Sequence, residues 1–323
     1  MQILEIIKDK SRNFNRRIVL PETDDPRVLQ AAQMVVEYKS SRLVLLGSEG
    51  ELKSAGYPVD HPDIEVRNWD SELEKEPFLN LLIENLGKKG LTRNEADSML
   101  TDRLIYAGSL VALGKADGAV AGSVAATASV IRAGLRTIGI HPDSKLVSSL
   151  FLMTLKQGRT VTYSDCGVVP FPDTGQLASI GIDAGTNHQR LTGQEPRIAF
   201  LSFSTHGSAG HESAEKVRKA AEIAQKLRPK WRIDGEIQFD AAWSPEIADR
   251  KAPGSPLEGQ ANVFVFPNLD AGNIAYKITE RVAGALATGP IIQGLNKPYM
   301  DLSRGCSAAD IAHSVHVASV MGE

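Results

Sequence analysis

Residues 17–47, RIVLPETDDPRVLQAAQMVVEYKSSRLVLLG, decide the fold class of this chain. The short apolar run Arg17–Pro21 is typical of a buried strand. Asp25 before Pro26 indicates a helix start, because an aspartate N-cap followed by proline at the first helical position leaves no orphan donor at the proline. Arg42–Gly47 is a second apolar run. A strand, a helix and a strand in so short a span predict a parallel β-α-β unit.

The same alternation continues to the C-terminal end of the sequence and predicts an α/β fold with largely parallel sheets. Further strands are predicted at residues 116–122, 160–164, 197–202, 235–240 and 262–267, the last of these being the last clear strand. Helices are predicted at residues 78–87, 92–113, 174–190, 212–227 and 271–287, and residues 123–129 lead into a further helix that carries Arg132 and Arg136. A terminal helix opens at Ser307, a residue type favoured as an N-cap. A length of 323 residues predicts two domains.

The composition excludes several classes of protein. A net charge of −3 gives no basic face for nucleic acid, so a phosphate-bearing substrate would need a local basic patch. No apolar run is long enough to cross a membrane, and the N-terminal residues read as an amphipathic helix rather than a signal peptide. Cys166 and Cys306 have neither metal-ligand spacing nor partners for a disulfide framework. These features predict a cytoplasmic protein.

The stretch 297–310, KPYMDLSRGCSAAD, concentrates reactive side chains. Asp310 is predicted at the third helical position after Ser307, where an acidic residue often only complements the helix dipole. Its neighbours suggest more, because Arg304 can bind an anion through paired hydrogen bonds and Ser303 can donate to an oxygen that gains charge. Both interpretations of Asp310 remain open on the residues alone.

This stretch resembles the signature of the phosphate acetyltransferase (phosphotransacetylase) family. The similarity recurs in five further blocks spread along the chain, at residues 20–27, 116–122, 202–209, 251–256 and 262–277. The resemblance implies an isocitrate/isopropylmalate-dehydrogenase-like fold of two α/β domains with a cleft between them. We place domain I at residues 1–145 plus 291–323, and domain II at residues 146–290.

The resemblance also implies a reaction and roles for residues. Acetyl-CoA and phosphate would be converted reversibly to CoA and acetyl phosphate by direct attack of the CoA thiolate in a ternary complex. In the family, the residue matching Asp310 takes the thiol proton, and those matching Ser303 and Arg304 stabilise the developing charge. The match to Arg132 implies a contact with the phosphate of acetyl phosphate. No metal or redox cofactor is implied, coenzyme A is a substrate, and a homodimer is expected.

Two strand-to-helix connections are candidates for further substrate contacts. Thr127 follows the strand at 116–122, where small residues and a helix start favour an anion, although a tightly packed corner without a ligand is equally compatible. Ser204, Thr205 and Ser208 follow the strand at 197–202 and are predicted to bind phosphate with their hydroxyls and neighbouring amides. His206 stands where the family more often has lysine, and a solvated loop histidine is the competing interpretation.

One departure from the family concerns an arginine that many members carry before the match to Lys89. That position falls near Leu86 here, and Lys88 or Lys89 would replace it only as a point charge.

Several alternatives stay open in the sequence. Cys306 at a helix start could act as a covalent nucleophile, whereas the resemblance implies direct transfer. His313 and His316 are predicted to be surface residues and Cys166 to be structural. A phosphate butyryltransferase would differ only in the volume of its acyl pocket. A non-catalytic acyl-CoA-sensing module and an NAD-dependent dehydrogenase are further alternatives, the last weakened because no Gly-x-Gly-x-x-Gly run follows a strand.

Overall fold

A computed structural model describes residues 2–69 and 75–322, without the side chains of Gln2 and Lys89, so the prediction for Lys89 lies outside the described side chains. The chain divides into two compact units. The first, here called the terminal unit, comprises Leu4–His141 and Leu295–Glu323. The second, the central unit, comprises Pro142–Gly294 together with Met1–Ile3. None of the described helices has the length and apolar character that crossing a bilayer requires.

Helices and strands alternate along most of the chain. The helices are α1 Gln2–Phe14, α2 Pro26–Tyr38, α3 Glu49–Ser54, α4 Glu76–Leu86, α5 Arg93–Leu100, α6 Arg103–Ala112, α7 Thr127–Thr137, α8 Thr174–Thr192, α9 Glu212–Leu227, α10 Phe239–Trp243, α11 Pro245–Lys251, α12 Leu269–Arg281 and α13 Ala308–Met321. The strands are β1 Arg17–Leu20, β2 Arg42–Leu46, β3 Ile64–Arg67, β4 Gly118–Ala121, β5 Ser148–Thr154, β6 Thr160–Ser164, β7 Arg197–Leu201, β8 Arg232–Ile237, β9 Val263–Val265, β10 Leu286–Gln293 and β11 Tyr299–Asp301.

The terminal unit is built on a parallel sheet with the strand order β11-β4-β1-β2-β3. The predicted β-α-β unit is confirmed, since β1 pairs with β2 in parallel register and Asp25 accepts a hydrogen bond from the first turn of α2. Strand β11, near the C-terminus, pairs with β4 and completes the sheet. The strands β1 and β4 are buried almost throughout, which explains their continuous apolar sequence.

The central unit contains a mixed sheet with the order β10-β5-β6-β9-β7-β8. Strand β5 runs antiparallel to both of its neighbours, β10 and β6, whereas β6, β9, β7 and β8 pair in parallel. Helices α8 and α9 bury their apolar faces against this sheet. The prediction of an α/β fold with largely parallel sheets is confirmed.

Three predicted elements differ from the structure. The helix predicted at 92–113 is interrupted at Thr101 and Asp102, because the Asp102 carboxylate caps a new helix, α6. The strand predicted at 235–240 begins earlier, as β8, and its last residues form the short helix α10. The helix predicted at 271–287 ends at Arg281, and strand β10 follows it, so β9 is not the last strand of the central unit.

The prediction that His316 is a surface residue is wrong. His316 is 1% exposed, and both ring nitrogens lack a hydrogen-bond partner among the residues that the structure describes. Its ring lies near those of Tyr38 and His313, on the face of α13 that packs against α2. Burial is the main reason why the pKa of His316 falls to about 3, and the neighbouring His313 acts in the same direction.

This depressed pKa predicts a pH-dependent stability. Below about pH 6.5 the unfolded chain protonates His316 while the folded chain keeps it neutral, so stability falls as pH decreases from about 6.5 toward 3. We expect His316→Leu to reduce the slope of unfolding free energy against pH by up to about 1.4 kcal/mol per pH unit. Urea unfolding between pH 8 and 5 measures this slope. His61→Gln, at a partly exposed histidine, is the control, and equal slopes for wild type and His316→Leu would contradict the prediction.

Candidate functional site

The reactive C-terminal stretch begins where β11 ends, beside the end of β4. Asp301 of β11 is paired with Ala121 of β4, so the loops that follow both strands leave the same edge of the parallel sheet. That edge is where ligands bind in open α/β sheets. In the loop after β11, the Ser303 carbonyl accepts from the Cys306 N–H at 2.9 Å, and the Ser303 hydroxyl accepts from the Gly305 N–H at 3.2 Å. These bonds form a tight turn, Ser303–Cys306.

Asp310 lies at the start of α13, as predicted, and forms a capping box with Ser307. Its Oδ2 accepts the Ser307 N–H and the Ser307 hydroxyl, each at 2.8 Å. Its Oδ1 accepts no hydrogen bond from the described part of the chain, and the residue is exposed. One oxygen therefore serves the helix and the other remains available to a substrate proton. A role as general base stays a prediction.

Ser303 and Arg304 are both exposed. Within residues 2–69 and 75–322 the Arg304 guanidinium has no hydrogen-bond or ion-pair partner, which leaves it free to bind an anion. The backbone carbonyl of Arg304, in contrast, accepts a hydrogen bond from Arg27 at 2.8 Å. The side chain is thus presented to solvent while the backbone that carries it is held by the protein.

Cys306 is unsuited to the covalent role that remained open in the sequence. The residue is 7% exposed, and burial raises the pKa of its thiol above the ordinary value, although the Arg27 guanidinium acts in the opposite direction. A nucleophilic cysteine needs its thiolate form. These properties favour a packing role and agree with direct transfer.

The loop after β4 does not offer its amides to a ligand. The buried Glu22 carboxylate accepts the N–H groups of Gly122 at 2.7 Å, Ser123 at 2.8 Å, Val124 at 3.3 Å and Ala125 at 2.7 Å. The Ser123 hydroxyl adds a fifth bond at 3.1 Å. A negatively charged side chain of the protein therefore fills the position that an anion would take in such a loop.

Near this loop, the groups that could still bind a substrate anion are the start of α7 and the arginines on that helix. Thr127 is the first residue of α7, it is exposed, and the N-cap Ala126 provides no side-chain cap. Arg132 is exposed on the same helix and has no hydrogen-bond or ion-pair partner within the described ranges. Both are placed to meet an anion by position, and both substrate-binding assignments stay predictions.

Asp301 is a buried carboxylate that sequence reasoning did not single out. Its Oδ1 has no hydrogen-bond partner within the described chain. Burial raises the pKa of Asp301 to about 6, and a hydrogen bond from the Thr127 side chain only partly opposes this shift. A Cβ atom added at Gly122 would lie 2.6 Å from the Asp301 Oδ1 and 2.7 Å from the Leu302 nitrogen. Gly122 also has φ +103°, so only glycine fits between the two loops.

The three hydroxyl residues predicted in the 202–209 loop belong to the central unit and differ in accessibility. Ser204 and Thr205 are buried. The Ser204 hydroxyl accepts the Ala209 N–H, and the Thr205 hydroxyl accepts the Gln238 N–H. Ser208 is exposed, although its hydroxyl also accepts the Thr205 N–H at 3.0 Å. The observed hydroxyls thus hold the loop itself, and their role as phosphate contacts stays a prediction for which Ser208 is the accessible member.

His206 is accessible to solvent, as the competing interpretation expects, and its ring also has a partner within the protein. Its Nε2 lies 3.2 Å from each carboxylate oxygen of Asp234. The Ser255 hydroxyl donates to the same carboxylate, so His206, Asp234 and Ser255 form a connected polar cluster. The histidine is partly exposed, and its buried partner fixes the ring.

The position of the missing family arginine, Leu86, lies at the end of α4. The preceding Asn85 donates to the carbonyls of Arg136 and Thr137, at 3.1 and 2.9 Å, and so caps the C-terminal end of α7. Lys88 follows and is exposed. Lys88 thus follows closely on Asn85, which caps α7. That Lys88 replaces the family arginine stays a prediction.

Across the parts of the chain that the structure describes, no group of three or more histidine, cysteine, aspartate or glutamate side chains is arranged to hold a metal ion. The residues that sequence reasoning missed are Glu22, Arg27 and Asp301. The first two lie in the LPETDDPR block, which was noted only as a point of resemblance. Charged residues directly after a buried strand were the available signal.

Known proteins of one family are similar to this chain over nearly its whole length. The family model described as phosphate acetyl/butaryl transferase matches residues 2–319. A phosphate acetyltransferase of Acetivibrio thermocellus is 42% identical over 328 residues, covering 100% of this chain and 99% of that protein. A phosphotransacetylase structure from Streptococcus pyogenes has a TM-score of 0.93 at 36% identity, covering 99% of this chain and 98% of that one. The EutD phosphotransacetylase from Staphylococcus aureus has a TM-score of 0.91 at 37% identity, and the match covers 100% of this chain and 98% of that one. The chain belongs to the phosphate acetyl/butaryl transferase family.

Proposed function

We propose that this protein is an enzyme that transfers an acetyl group reversibly between coenzyme A and inorganic phosphate. The observation that carries the proposal is the exposed set Ser303, Arg304 and Asp310, presented by one short segment at the carboxyl edge of a parallel sheet. The relatives similar over the full length support the acetyl group as substrate, since they are named phosphate acetyltransferases.

The chemistry follows from these three side chains. Asp310 Oδ1 takes the proton of the CoA thiol, and the thiolate attacks the carbonyl carbon of acetyl phosphate. A carbon–sulfur bond forms, the bond from that carbon to the bridging phosphate oxygen breaks, and phosphate leaves with the electron pair. Ser303 and Arg304 stabilise the negative charge that develops on the carbonyl oxygen and the phosphate. No atom changes oxidation state, so the transfer requires no redox cofactor, and two arginines can supply the positive charge that a metal would otherwise give.

A test of this function measures thioester formation from acetyl phosphate and CoA in the presence of EDTA. We expect Asp310→Asn to lower kcat by about two to four orders of magnitude while the KM for CoA stays within a few fold, because only the general base is removed. Asparagine can still accept the Ser307 N–H, so the capping box is largely kept.

Ser307→Ala is the matched control, since it removes the hydroxyl that caps α13 and leaves the carboxylate. We expect this variant to lose about 1 kcal/mol of stability and little kcat. If Asp310→Asn keeps a normal kcat, Asp310 only complements the helix dipole. A wild-type protein that forms no thioester from acetyl phosphate would overturn the proposed function. If butyryl phosphate is turned over faster than acetyl phosphate, the substrate is the butyryl group instead of the acetyl group.

A second prediction separates two arginines of α7. Arg132→Lys should raise the KM for acetyl phosphate by about tenfold or more, because a lysine loses the paired hydrogen bonds that a guanidinium makes with phosphate. Arg136, one turn further along the helix and also exposed, serves as the control, and Arg136→Lys should leave the KM within about twofold. Steady-state kinetics with varied acetyl phosphate measures both. Equal effects of the two substitutions would remove Arg132 from the substrate site.

We propose, further, that the protein is a cytoplasmic homodimer. Two free cysteines fit a reducing compartment. An apolar stripe along α12 and its C-cap supports the dimer: Ile274, Ile278 and the C-cap Val282 are spaced four residues apart and are each more than half exposed. A second copy of the chain is the occupant that we propose for this stripe.

Light scattering coupled to size exclusion tests the dimer. Wild type should elute with about twice the 34.8 kDa mass of one chain, and Ile278→Glu should shift the mass toward the monomer because it puts a charge into an apolar contact. Leu227→Glu is the control, since Leu227 is similarly exposed but lies at the end of α9, outside the stripe. A monomeric wild type, or a dimer unaffected by Ile278→Glu, would contradict this assignment.

A further inference from the structure

We infer that Arg27 is a positioning residue that holds the Ser303–Cys306 turn in the geometry needed for acetyl transfer. Its Nη1 donates to the backbone carbonyls of Arg304 and Cys306, each at 2.8 Å. These two carbonyls belong to the peptide groups before Gly305 and after Cys306, and a Cβ added at Gly305 would have the Ser303 hydroxyl, at 3.7 Å, as its nearest neighbour. Two bonds from one nitrogen therefore fix the peptide groups at both ends of the Gly305–Cys306 segment, which contains the most adaptable residue of the turn. The inference rests on the proposed function.

Arg27 also joins this turn to the neighbouring loop. Its Nη2 donates at 2.9 Å to the carbonyl of Ser123, whose amide and hydroxyl are held by Glu22. The loop after β4 and the turn after β11 consequently share one guanidinium. A displacement of either would break bonds to the same side chain.

The guanidinium is itself anchored to a rigid element. The Asp25 carboxylate is 6% exposed and accepts the Arg27 backbone N–H as the N-cap of α2. The same carboxylate accepts Nε at 3.0 Å and Nη2 at 2.7 Å from the Arg27 side chain. Arg27 lowers the pKa of Asp25, as expected for a close ion pair. The start of α2 thus fixes the position from which Arg27 reaches the turn.

The count of donors argues against a direct contact between Arg27 and a substrate phosphate. A guanidinium carries five N–H donors. In this protein they meet five acceptors: the two Asp25 oxygens and the carbonyls of Ser123, Arg304 and Cys306. No donor is left for an anion. Arg27 acts on the reaction through the side chains of Ser303 and Arg304, which the turn carries.

A lysine at position 27 cannot reproduce this arrangement. Its single nitrogen has three donors, and it cannot bond two carbonyls of the turn, the carbonyl of Ser123 and both oxygens of Asp25. Arg103 provides a matched control because it forms a two-point ion pair with Asp24, next to Asp25 in sequence. Within the described ranges, neither side chain of this pair hydrogen-bonds to the loop after β4 or to the Ser303–Cys306 turn.

The experiment compares Arg27→Lys, Arg27→Ala and Arg103→Lys in the thioester assay, together with thermal unfolding of each variant. We expect Arg27→Lys to lower kcat by about 10 to 100 fold with both KM values within about threefold, because misplacement of catalytic groups by a fraction of an ångström slows the chemical step. Millimolar guanidinium or methylguanidinium should restore part of the kcat of Arg27→Ala. Arg103→Lys should stay within about twofold of wild type.

Several results would overturn the inference. A rise in the KM for CoA or acetyl phosphate at unchanged kcat would make Arg27 a ligand contact. Unchanged kinetics in Arg27→Lys, or a loss of kcat that matches the unfolded fraction and resists guanidinium, would remove the positioning role. If the Arg27 variants do not fold, Asp25→Asn keeps the guanidinium but loosens its anchor, and an unaltered kcat in that variant would contradict the inference. An inactive wild type would instead reject the proposed function.

Discussion

Buried charge at the end of β1 organises the reactive edge of the terminal unit. The sheet order places β1 beside β4 and β4 beside β11, so the segment after β1 reaches the loops that follow both other strands. Backbone amides in buried loops must find partners. Glu22 satisfies four of them in the loop after β4, and Arg27 bonds three carbonyls in the two loops. One short segment therefore supplies acceptors to the loop after β4 and donors to both loops.

The central unit uses the same device independently. The Asp165 carboxylate follows β6, is buried, and accepts the N–H groups of Gly167, Val168 and Val169. It also accepts the Ser149 hydroxyl at 2.5 Å. In both units a carboxylate of the chain fills an amide-lined loop that could otherwise bind phosphate. The positive charge for a phosphorylated substrate would then come from side chains, and the exposed Arg132 and Arg304 are the ones that we propose for this role.

The alternation of elements could be predicted because each buried strand is a continuous apolar run and each helix has a regular apolar face. The predictions failed where a local signal was weak or ambiguous. The break before α6 is set by Asp102 alone, within a pattern that remains helical on both sides. Strand β10 contains glycine and proline, and its first half is largely exposed at the edge of the sheet, so it lacks the composition of a core strand. His316 was misread because a polar residue type gave no sign of its burial against α2.

The candidate site could be predicted in part for the same physical reason. Ser303, Arg304 and Asp310 lie within the short stretch 303–310, so their chemistry is visible in one motif. Asp310 lies in the first turn of α13, as the capping pattern indicates. The partners of Glu22 and Arg27 are about a hundred or more residues away in the chain, and no local pattern specifies them.

Burial finally distinguishes the two carboxylates of the motif, Asp301 and Asp310, which stand nine positions apart in the sequence. Asp301 lies beneath the loops, where loss of water raises its pKa to about 6 and removes it from contact with solvent. Asp310 is exposed, with one oxygen bonded to Ser307 and the other open. A base for a diffusing thiol must be reachable, so accessibility favours Asp310. The sheet edge that buries Asp301 is therefore also what leaves Asp310 as the carboxylate of this motif that a substrate can meet.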